Sequence, residues 1–169
     1  PEKINFMTKF GRGLICVPLS SDRAEKLHLP LMNPQENTLR SHCNFTVSVD
    51  ARSGVSTGIS AHDRAATIKA LLNPKSKPAD FVRPGHLFPL IAKDGGVLVR
   101  TGHTEGSLDL VKLAGLPGMA VICEIMDGDG SMMTGKRLKS FGKKHKMQMV
   151  TIKDLIAYRR QREKLVKHE

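Results

Sequence analysis

The sequence predicts a single α+β domain over residues 1–169, with a mixed sheet in an α/β sandwich-like arrangement. The chain length fits one domain. Short apolar runs that suit strands recur along the chain, and segments with readable helix starts lie between them. No apolar run approaches the roughly 18 to 20 residues that span a membrane, so we expect a protein without a membrane partner.

Five short apolar runs predict the strands. The run CNFTVSVD alternates, with Phe45, Val47 and Val49 on one side of a half-buried strand. The runs GLICVPL and AVICEIM are more uniformly apolar and predict buried strands. The remaining two runs are HLFPLIA and QMVTI.

Two helices are predicted from their first residues. SAHDRAATIKALLNP begins at Ser60 with Asp63 three positions later, which is the spacing of a capping box. TIKDLIAYRRQREKLVKHE begins with Thr151 and Asp154 at the same spacing, and its apolar stripe extends to Leu165.

Two further segments read as helical. GSLDLVKLAGLP places Leu108, Val111 and Leu113 near one face and ends at Gly115 and Pro117. The opening PEKINFMTKFGRG reads as a helix already under way. The stretches NPKSKP and DGDG predict surface loops.

The positive charge is concentrated near the C-terminus. The net charge is +11, and residues 136–169 hold 12 Lys and Arg against 3 acidic residues. A basic tail can bind nucleic acid or form the solvated face of a helix. We favour the solvated face and expect no nucleic-acid partner, because the chain has no Trp and its one Tyr, Tyr158, belongs to no stacking array.

The cysteine pattern predicts a cytoplasmic protein. Cys16, Cys43 and Cys123 are far apart and show no CxxC spacing. An odd number of widely spaced cysteines is poor evidence for a disulfide framework or a zinc site. A reducing cytosol is the simpler interpretation.

Two polar clusters precede predicted elements. In GVSTGISAHDR, two glycines flank hydroxyls before a helix, a turn whose free N–H groups suit an anion or a sugar hydroxyl. A plain capped loop is the favoured alternative. In DFVRPGHLFPL, Arg83 and His86 bracket a Pro-Gly turn, and His86 is equally well an acid–base group or a turn histidine.

The third cluster, RTGHTE, lies where a strand gives way to a helix. Gly102 permits close backbone approach, and His103 can ligate a metal. Thr104 and the helix N-terminus can bind an oxyanion, and Arg100 can hold a phosphate with two hydrogen bonds. Glu105 is expected to complement the helix dipole.

Glu124 lies inside the apolar run AVICEIM. A buried carboxylate costs several kcal/mol unless it is paired, so this position favours a functional role over an incidental one. The three clusters and Glu124 together suit a phosphorylated, hydroxyl-rich substrate that is handled with a divalent cation and acid–base groups.

Several motifs together resemble the 3,4-dihydroxy-2-butanone 4-phosphate synthases of riboflavin biosynthesis. The resemblance runs in unbroken order from Gly11 to about Arg160, through GRGLICVPL, FTVSVDAR, TGISAHDRAATI, DFVRPGHLFPLIAKDGGVLVRTGHTE, AGLPGMAVICEIM and TIKDLIAYR. RPGH, RTGHTE and ICEIM in succession are highly specific to that family.

The resemblance implies an activity, a cofactor and an assembly. It implies a lyase that converts D-ribulose 5-phosphate to 3,4-dihydroxy-2-butanone 4-phosphate and formate through an enediol. It also implies Mg²⁺ or Mn²⁺ as cofactor, since a divalent ion polarises a carbonyl and stabilises an enediolate. The same resemblance implies a homodimer with active sites near the interface.

Roles for individual residues follow from the resemblance. It implies catalytic roles for His86 and Glu124, with His86 reaching across the dimer interface, and metal ligation by His103. Arg100 and Thr104 are expected on the phosphate. The expected substrate-binding residues are Cys16, Thr57, Arg100, Thr101, Gly102, His103, Thr104 and Glu124.

Two expectations concern the ends of the chain. The family carries an acidic loop, Arg-Glu-Asn-Glu-Gly-Asp, upstream of the segment that begins here, with a second metal-ligating Glu. We therefore expect a longer protein, or else an inactive form. The last helix, YRRQREKLVKHE, is similar to that of bifunctional relatives in which a GTP cyclohydrolase II domain follows.

Two other functions compete with the lyase. One is a nucleic-acid-binding module that uses the basic C-terminal helix, and its binding would weaken steeply with salt. The other is a relative that binds a sugar phosphate without chemistry.

Overall fold

The computed structural model describes residues 1–163 and forms a mixed sheet with helices packed against it. The strands are β1 Cys16–Leu19, β2 Asn44–Phe45, β3 Val49–Ala51 and β4 Phe81–Ile91. The helices are α1 Glu2–Phe6, α2 Ser21–Lys26, α3 Ala61–Leu72, α4 His103–Leu113, α5 Gly135–Lys144 and α6 Ile152–Arg162. A π-helical turn, Met7–Gly11, continues α1.

Strand β4 organises the sheet of the described residues. It pairs in parallel with β1, where Cys16 lies opposite Phe88, and antiparallel with both β2 and β3. The β3 pairing shifts register between Val49 and Asp50. This mixed pattern confirms the predicted α+β class.

The hydrophobic core lies between the sheet and the first three helices. Val17 and Leu19 of β1, Val49 of β3 and Leu87 of β4 are fully buried there. The helices add to this cluster the side chains of Ile4, Ala24, Leu27, Ala65 and Leu71.

Both predicted capping starts are confirmed. Ser60 precedes α3, and its hydroxyl accepts a hydrogen bond from the Asp63 N–H at 3.0 Å. Thr151 precedes α6 and accepts from the Asp154 N–H at 3.1 Å. The opening segment is helical as predicted, whereas Leu165 of the predicted apolar stripe lies outside the described residues.

The single strand predicted for CNFTVSVD is wrong, because the segment divides into β2 and β3. Its supposedly exposed polar side is buried: Thr46 and Ser48 have little exposure. The Thr46 hydroxyl donates to the Pro89 carbonyl at 3.2 Å, and the Ser48 hydroxyl accepts from the Gly85 N–H at 3.2 Å. Hydrogen bonding allows these polar side chains to be buried.

Two other strand predictions are also wrong. AVICEIM makes single bridges, with Cys16 opposite Ile122 and Arg12 opposite Ile125, rather than a regular strand. In QMVTI, Val150 is exposed and Ile152 already begins α6. Short apolar runs do not by themselves determine pairing, which requires a free edge of the sheet.

The predictions also missed helices α2 and α5. Helix α5 has the sequence GKRLKSFGKK, and Gly142 is its buried residue. Its lysines therefore form a solvated basic face, as expected for much of the C-terminal charge. No helix within residues 1–163 is long and apolar enough to cross a membrane.

Replacing Gly85 with alanine should destabilise the fold. A Cβ at Gly85 would overlap with main-chain atoms of Val49 and Asp50, which cannot move without disturbing the β3–β4 pairing. We expect the Gly85→Ala substitution to lower the free energy of unfolding by about 3 kcal/mol, the upper range for overpacking. Urea denaturation would measure the change.

Gly128→Ala is the matched control, because a Cβ there meets no atom within 4 Å. It should change the free energy of unfolding by less than about 0.5 kcal/mol. If both variants unfold at the urea concentration of the parent, the close approach of Gly85 to β3 has no energetic importance.

Candidate active site

An aspartate–histidine pair connects strands β3 and β4. The Nδ1 atom of His86 is 2.6 Å from Oδ2 of Asp50, and the His86 N–H donates to Oδ1 of the same carboxylate at 2.9 Å. Asp50 is buried, whereas the His86 side chain is 42% exposed. This geometry fixes the imidazole ring and leaves Nε2 as the nitrogen directed away from Asp50.

The loop before α3 packs against this pair. A Cβ at Gly58 would lie 2.5 Å from Nδ1 of His86 and 2.7 Å from Cγ of Asp50, so only glycine fits there. Thr57, a predicted substrate-binding residue, is exposed and directly precedes Gly58. The structure thus brings Thr57 and His86 into one region.

Two N–H groups of this loop bond to a side chain of the protein, whereas binding of an external anion would require free N–H groups. The buried Asp63 carboxylate accepts from the Ser56 N–H at 3.1 Å and from the Gly58 N–H at 3.0 Å. It also accepts from the Ser56 hydroxyl at 2.8 Å. These contacts and the Ser60 cap support the alternative of a capped loop for Ser56 and Gly58.

The RTGHTE cluster forms the start of helix α4. Gly102 is the N-cap, and His103 is the first helical residue, earlier than the sequence indicated. Thr101 and His103 are exposed, while Thr104 is buried. The first-turn N–H groups of a helix lack intrahelical partners, which gives this junction an affinity for anions.

Arg100 is held by the protein itself. Its Nη1 pairs with Oε2 of the buried Glu105, and its Nη2 donates to the Ser41 carbonyl at 2.6 Å. Nη2 also lies 3.0 Å from Sγ of Cys43. Glu105 thus does more than complement the helix dipole.

The buried face of α4 is polar rather than the predicted apolar stripe. Leu108 is buried, but Leu113 is exposed. Thr104, Glu105 and Asp109 occupy the buried face with Leu108.

The Glu124 carboxylate is exposed, which corrects the expectation of a buried acid. Its Oε2 accepts a hydrogen bond from the Leu14 N–H at 2.9 Å. A Cβ at Gly13 would lie 2.5 Å from that oxygen, so the GRG segment must approach Glu124 as bare backbone.

Cys16 lies beside Glu124 and is a neutral thiol. Burial raises the pKa of Cys16 to about 12, and the negative charge of Glu124 adds to the increase. A thiol with this pKa holds its proton at neutral pH, so Cys16 is not activated as a nucleophile.

The described residues contain one predicted metal ligand, His103. Within residues 1–163, no three His, Cys, Asp or Glu side chains come together in a group that could hold a metal ion. By themselves, these residues do not make a complete metal site.

Asp50 and Gly58 are the site residues that the sequence predictions missed. The sequence did contain a signal for Asp50, because this acidic residue ends the run CNFTVSVD, whose other residues are mostly apolar or carry hydroxyls. Its partner His86 follows 36 positions later, and pattern and spacing do not reveal a pair that far apart.

The chain is thus an α+β fold in which acid–base side chains are held by fixed partners. A family model for 3,4-dihydroxy-2-butanone 4-phosphate synthase matches residues 1–158. The chain belongs to this family, which confirms the resemblance found in the sequence.

Sequence relatives agree with this assignment. Riboflavin biosynthesis protein RibBA of Aquifex aeolicus is 56% identical over 168 residues, which are 98% of this chain and 41% of the relative. RibBA of Bacillus subtilis is 54% identical over 169 residues, which are 100% of this chain and 42% of the relative. The chain therefore spans less than half the length of these relatives.

Solved structures share the fold. The crystal structure of RibBX, a two-domain 3,4-dihydroxy-2-butanone 4-phosphate synthase from A. baumannii, matches with a TM-score of 0.92 and 47% identity over 97% of this chain and 48% of that chain. A 3,4-dihydroxy-2-butanone 4-phosphate synthase in complex with two magnesium ions matches with a TM-score of 0.91 and 40% identity over 95% of this chain and 79% of that chain.

The acid stability of the protein should depend on Asp63. Hydrogen bonds from Ser56 hold the pKa of Asp63 below its ordinary value. The folded state therefore gains stability from this carboxylate above the ordinary aspartate pKa of about 3.9 and loses it as pH falls through the lower folded value. In Asp63→Asn, the stability deficit relative to the parent should be largest at neutral pH and shrink below about pH 4.

Urea unfolding between about pH 7 and pH 2 would measure this deficit. Ser56→Ala, which removes the hydroxyl donor, should show a smaller deficit with the same pH dependence. A deficit that stays constant over this range would contradict the role given to Asp63.

Proposed function

We propose that this chain forms the domain that converts D-ribulose 5-phosphate to 3,4-dihydroxy-2-butanone 4-phosphate and formate. The observation that carries the proposal is the Asp50–His86 pair, seen in a chain that belongs to the corresponding family. An enediol forms when a base removes the proton from the carbon next to a carbonyl. The reaction therefore needs acid–base groups in fixed positions.

His86 is assigned to proton transfer at the substrate. Asp50 accepts the hydrogen bond at Nδ1, which fixes the tautomer and leaves Nε2 to exchange a proton. The partial exposure of the His86 side chain gives a ligand access to that nitrogen. Thr57 is assigned to binding of the sugar hydroxyls beside it, because the loop at Gly58 packs against the pair.

Glu124 is assigned to a second proton transfer and to contact with the sugar hydroxyls. The Leu14 N–H holds Oε2, so the carboxylate has a fixed position although it is exposed. Cys16 is assigned to the same site as a neutral, buried group.

The start of α4 is assigned to the phosphate end of the substrate. The backbone of Thr101, Gly102 and His103 leads into the helix N-terminus, and Thr104 lies in the first turn. Phosphate groups bind at such positions through free N–H groups and the helix dipole. Arg100 is assigned to the same end, where it adds a positive charge while Glu105 holds it.

A divalent cation, Mg²⁺ or Mn²⁺, belongs to the proposal as cofactor, with His103 as the ligand that this chain supplies. When bound, such an ion stabilises the negative charge of an enediolate. The roles proposed for His86 and Glu124 are argued from the contacts of these two residues and not from the ion.

A homodimer with active sites near the interface is also part of the proposal. Exposed apolar side chains flank both groups of site residues: Ile59 follows Gly58, and Val99, 67% exposed, precedes Arg100. A second copy that covered these side chains would lie beside His86 and the start of α4.

The free thiols of Cys16, Cys43 and Cys123 favour a reducing cytosol as the location.

The activity is tested by incubating the purified intact protein with ribulose 5-phosphate and Mg²⁺ and following the products by ¹³C NMR. We expect one formate for each sugar phosphate consumed, together with a four-carbon ketone phosphate. Consumption without formate would indicate an isomerase and overturn the proposal, as would the absence of turnover.

Glu124→Gln should lose turnover while the fold is kept. The glutamine amide oxygen can still accept from the Leu14 N–H, but the side chain no longer takes up a proton. We expect kcat to fall by about a hundredfold or more, the usual scale for a positioned acid–base group. Formate release and a thermal melt would be measured together.

Asp129→Asn is the control, because Asp129 is an exposed loop carboxylate that accepts hydrogen bonds from Ser131. It should keep the parent kcat. If Glu124→Gln keeps its kcat per folded molecule and melts far below the parent, Glu124 is structural.

A further inference from the structure

Glu105 is a buried carboxylate in the first turn of α4, with 1% side-chain exposure. Both of its oxygens are used by groups outside the helix. Oε1 accepts from the Lys93 N–H at 3.0 Å, and Oε2 pairs with Nη1 of Arg100. A buried charge is tolerated only when it is paired and hydrogen-bonded, and this carboxylate meets both conditions.

The pair fixes the plane of the Arg100 guanidinium. Nη1 is held by Glu105, and Nη2 is held by the Ser41 carbonyl and contacts Cys43 Sγ. Because the group is planar and rigid, fixing two nitrogens fixes the directions of all its N–H groups. The side chain is still 20% exposed, so an anion can reach it while Glu105 holds it.

The backbone at Gly102 packs directly on this pair. A Cβ there would overlap with the Arg100 guanidinium and lie 2.7 Å from Oε2 of Glu105. The ion pair therefore packs against the turn that begins α4 and supports it. Burial by itself would lower the pKa of Arg100, but the hydrogen bond and charge of Glu105 raise it above its ordinary value, as expected for a well-matched pair.

Asp109 is a near copy of Glu105 one helical turn later. It is also buried, and its Oδ2 accepts from the Val97 N–H, in a 3₁₀ turn, at 2.9 Å and pairs with Nη1 of Arg159 at 2.8 Å. The difference is where the arginine comes from. Arg159 belongs to α6, whereas Arg100 belongs to the turn that leads into the candidate phosphate site.

We propose that Glu105 is a positioning residue, which holds Arg100 and the turn from residue 100 to 104 in the geometry that receives the phosphate of the substrate. This inference rests on the proposed function. It assigns Glu105 a role in substrate affinity that Asp109, with the same burial and the same type of partners, does not have.

The experiment compares Glu105→Gln with Asp109→Asn in the purified protein. Each substitution removes one buried charge and keeps an acceptor for the loop N–H. Both variants should therefore lose stability to a similar degree in urea. Glu105→Gln should raise the KM for ribulose 5-phosphate about tenfold or more, with a smaller effect on kcat, whereas Asp109→Asn should change KM less than about twofold.

A double-mutant cycle with Arg100→Lys tests whether Glu105 acts through Arg100. In the Lys background, Glu105→Gln should raise KM by much less than it does in the parent, because the positioned fork is already lost. Full additivity, or equal KM values for Glu105→Gln and Asp109→Asn, would overturn the proposal. If Glu105→Gln does not fold, Glu105→Asp replaces it and should still raise KM above that of Asp109→Asn.

Direct binding of ribulose 5-phosphate, measured by calorimetry, separates this inference from the proposed function. A parent protein that binds the sugar phosphate without turnover overturns the function, and the binding constants of the two variants then decide the role of Glu105. A parent protein that shows neither binding nor turnover overturns both.

Discussion

The arrangement of polar groups in this molecule depends on hydrogen bonds from backbone N–H groups to carboxylates. Five carboxylates each accept at least one N–H from a segment other than their own turn, and four of them are buried. A buried carboxylate needs such donors, and a loop N–H needs an acceptor, so each bond satisfies two demands at once. These carboxylates are Asp50, Asp63, Glu105, Asp109 and Glu124.

The same carboxylates place side chains that can do chemistry. In both cases one oxygen accepts a backbone N–H and the other orients a functional partner: Asp50 orients the His86 ring, and Glu105 orients the Arg100 guanidinium. Folding and positioning therefore share one set of interactions. This sharing explains why candidate groups that are accessible to solvent still have fixed geometry.

Local signals in the sequence were sufficient for the helix starts at Ser60 and Thr151 and for the buried strand β1, because caps and short buried runs involve neighbouring residues. Tertiary partners were not predictable in this way. Glu124 is surrounded by apolar residues in the chain, yet it is exposed because AVICEIM makes single bridges and joins no regular strand. The resemblance to a family supplied the candidate residues, while their contacts required the structure.

These carboxylates explain why glycine occupies several positions beside them. Added side chains at Gly13, Gly58, Gly96 and Gly102 would collide with Glu124, Asp50, Asp109 and Glu105 respectively. In the sequence, glycines beside hydroxyls before a helix resemble a cradle for an external anion. In the structure, the four glycines named above make room for the protein's own anions, and Asp63 accepts hydrogen bonds from the loop before α3. At these four positions the glycine lies beside a carboxylate of the protein, and the contacts of the neighbouring N–H groups distinguish such a side chain from an external ligand.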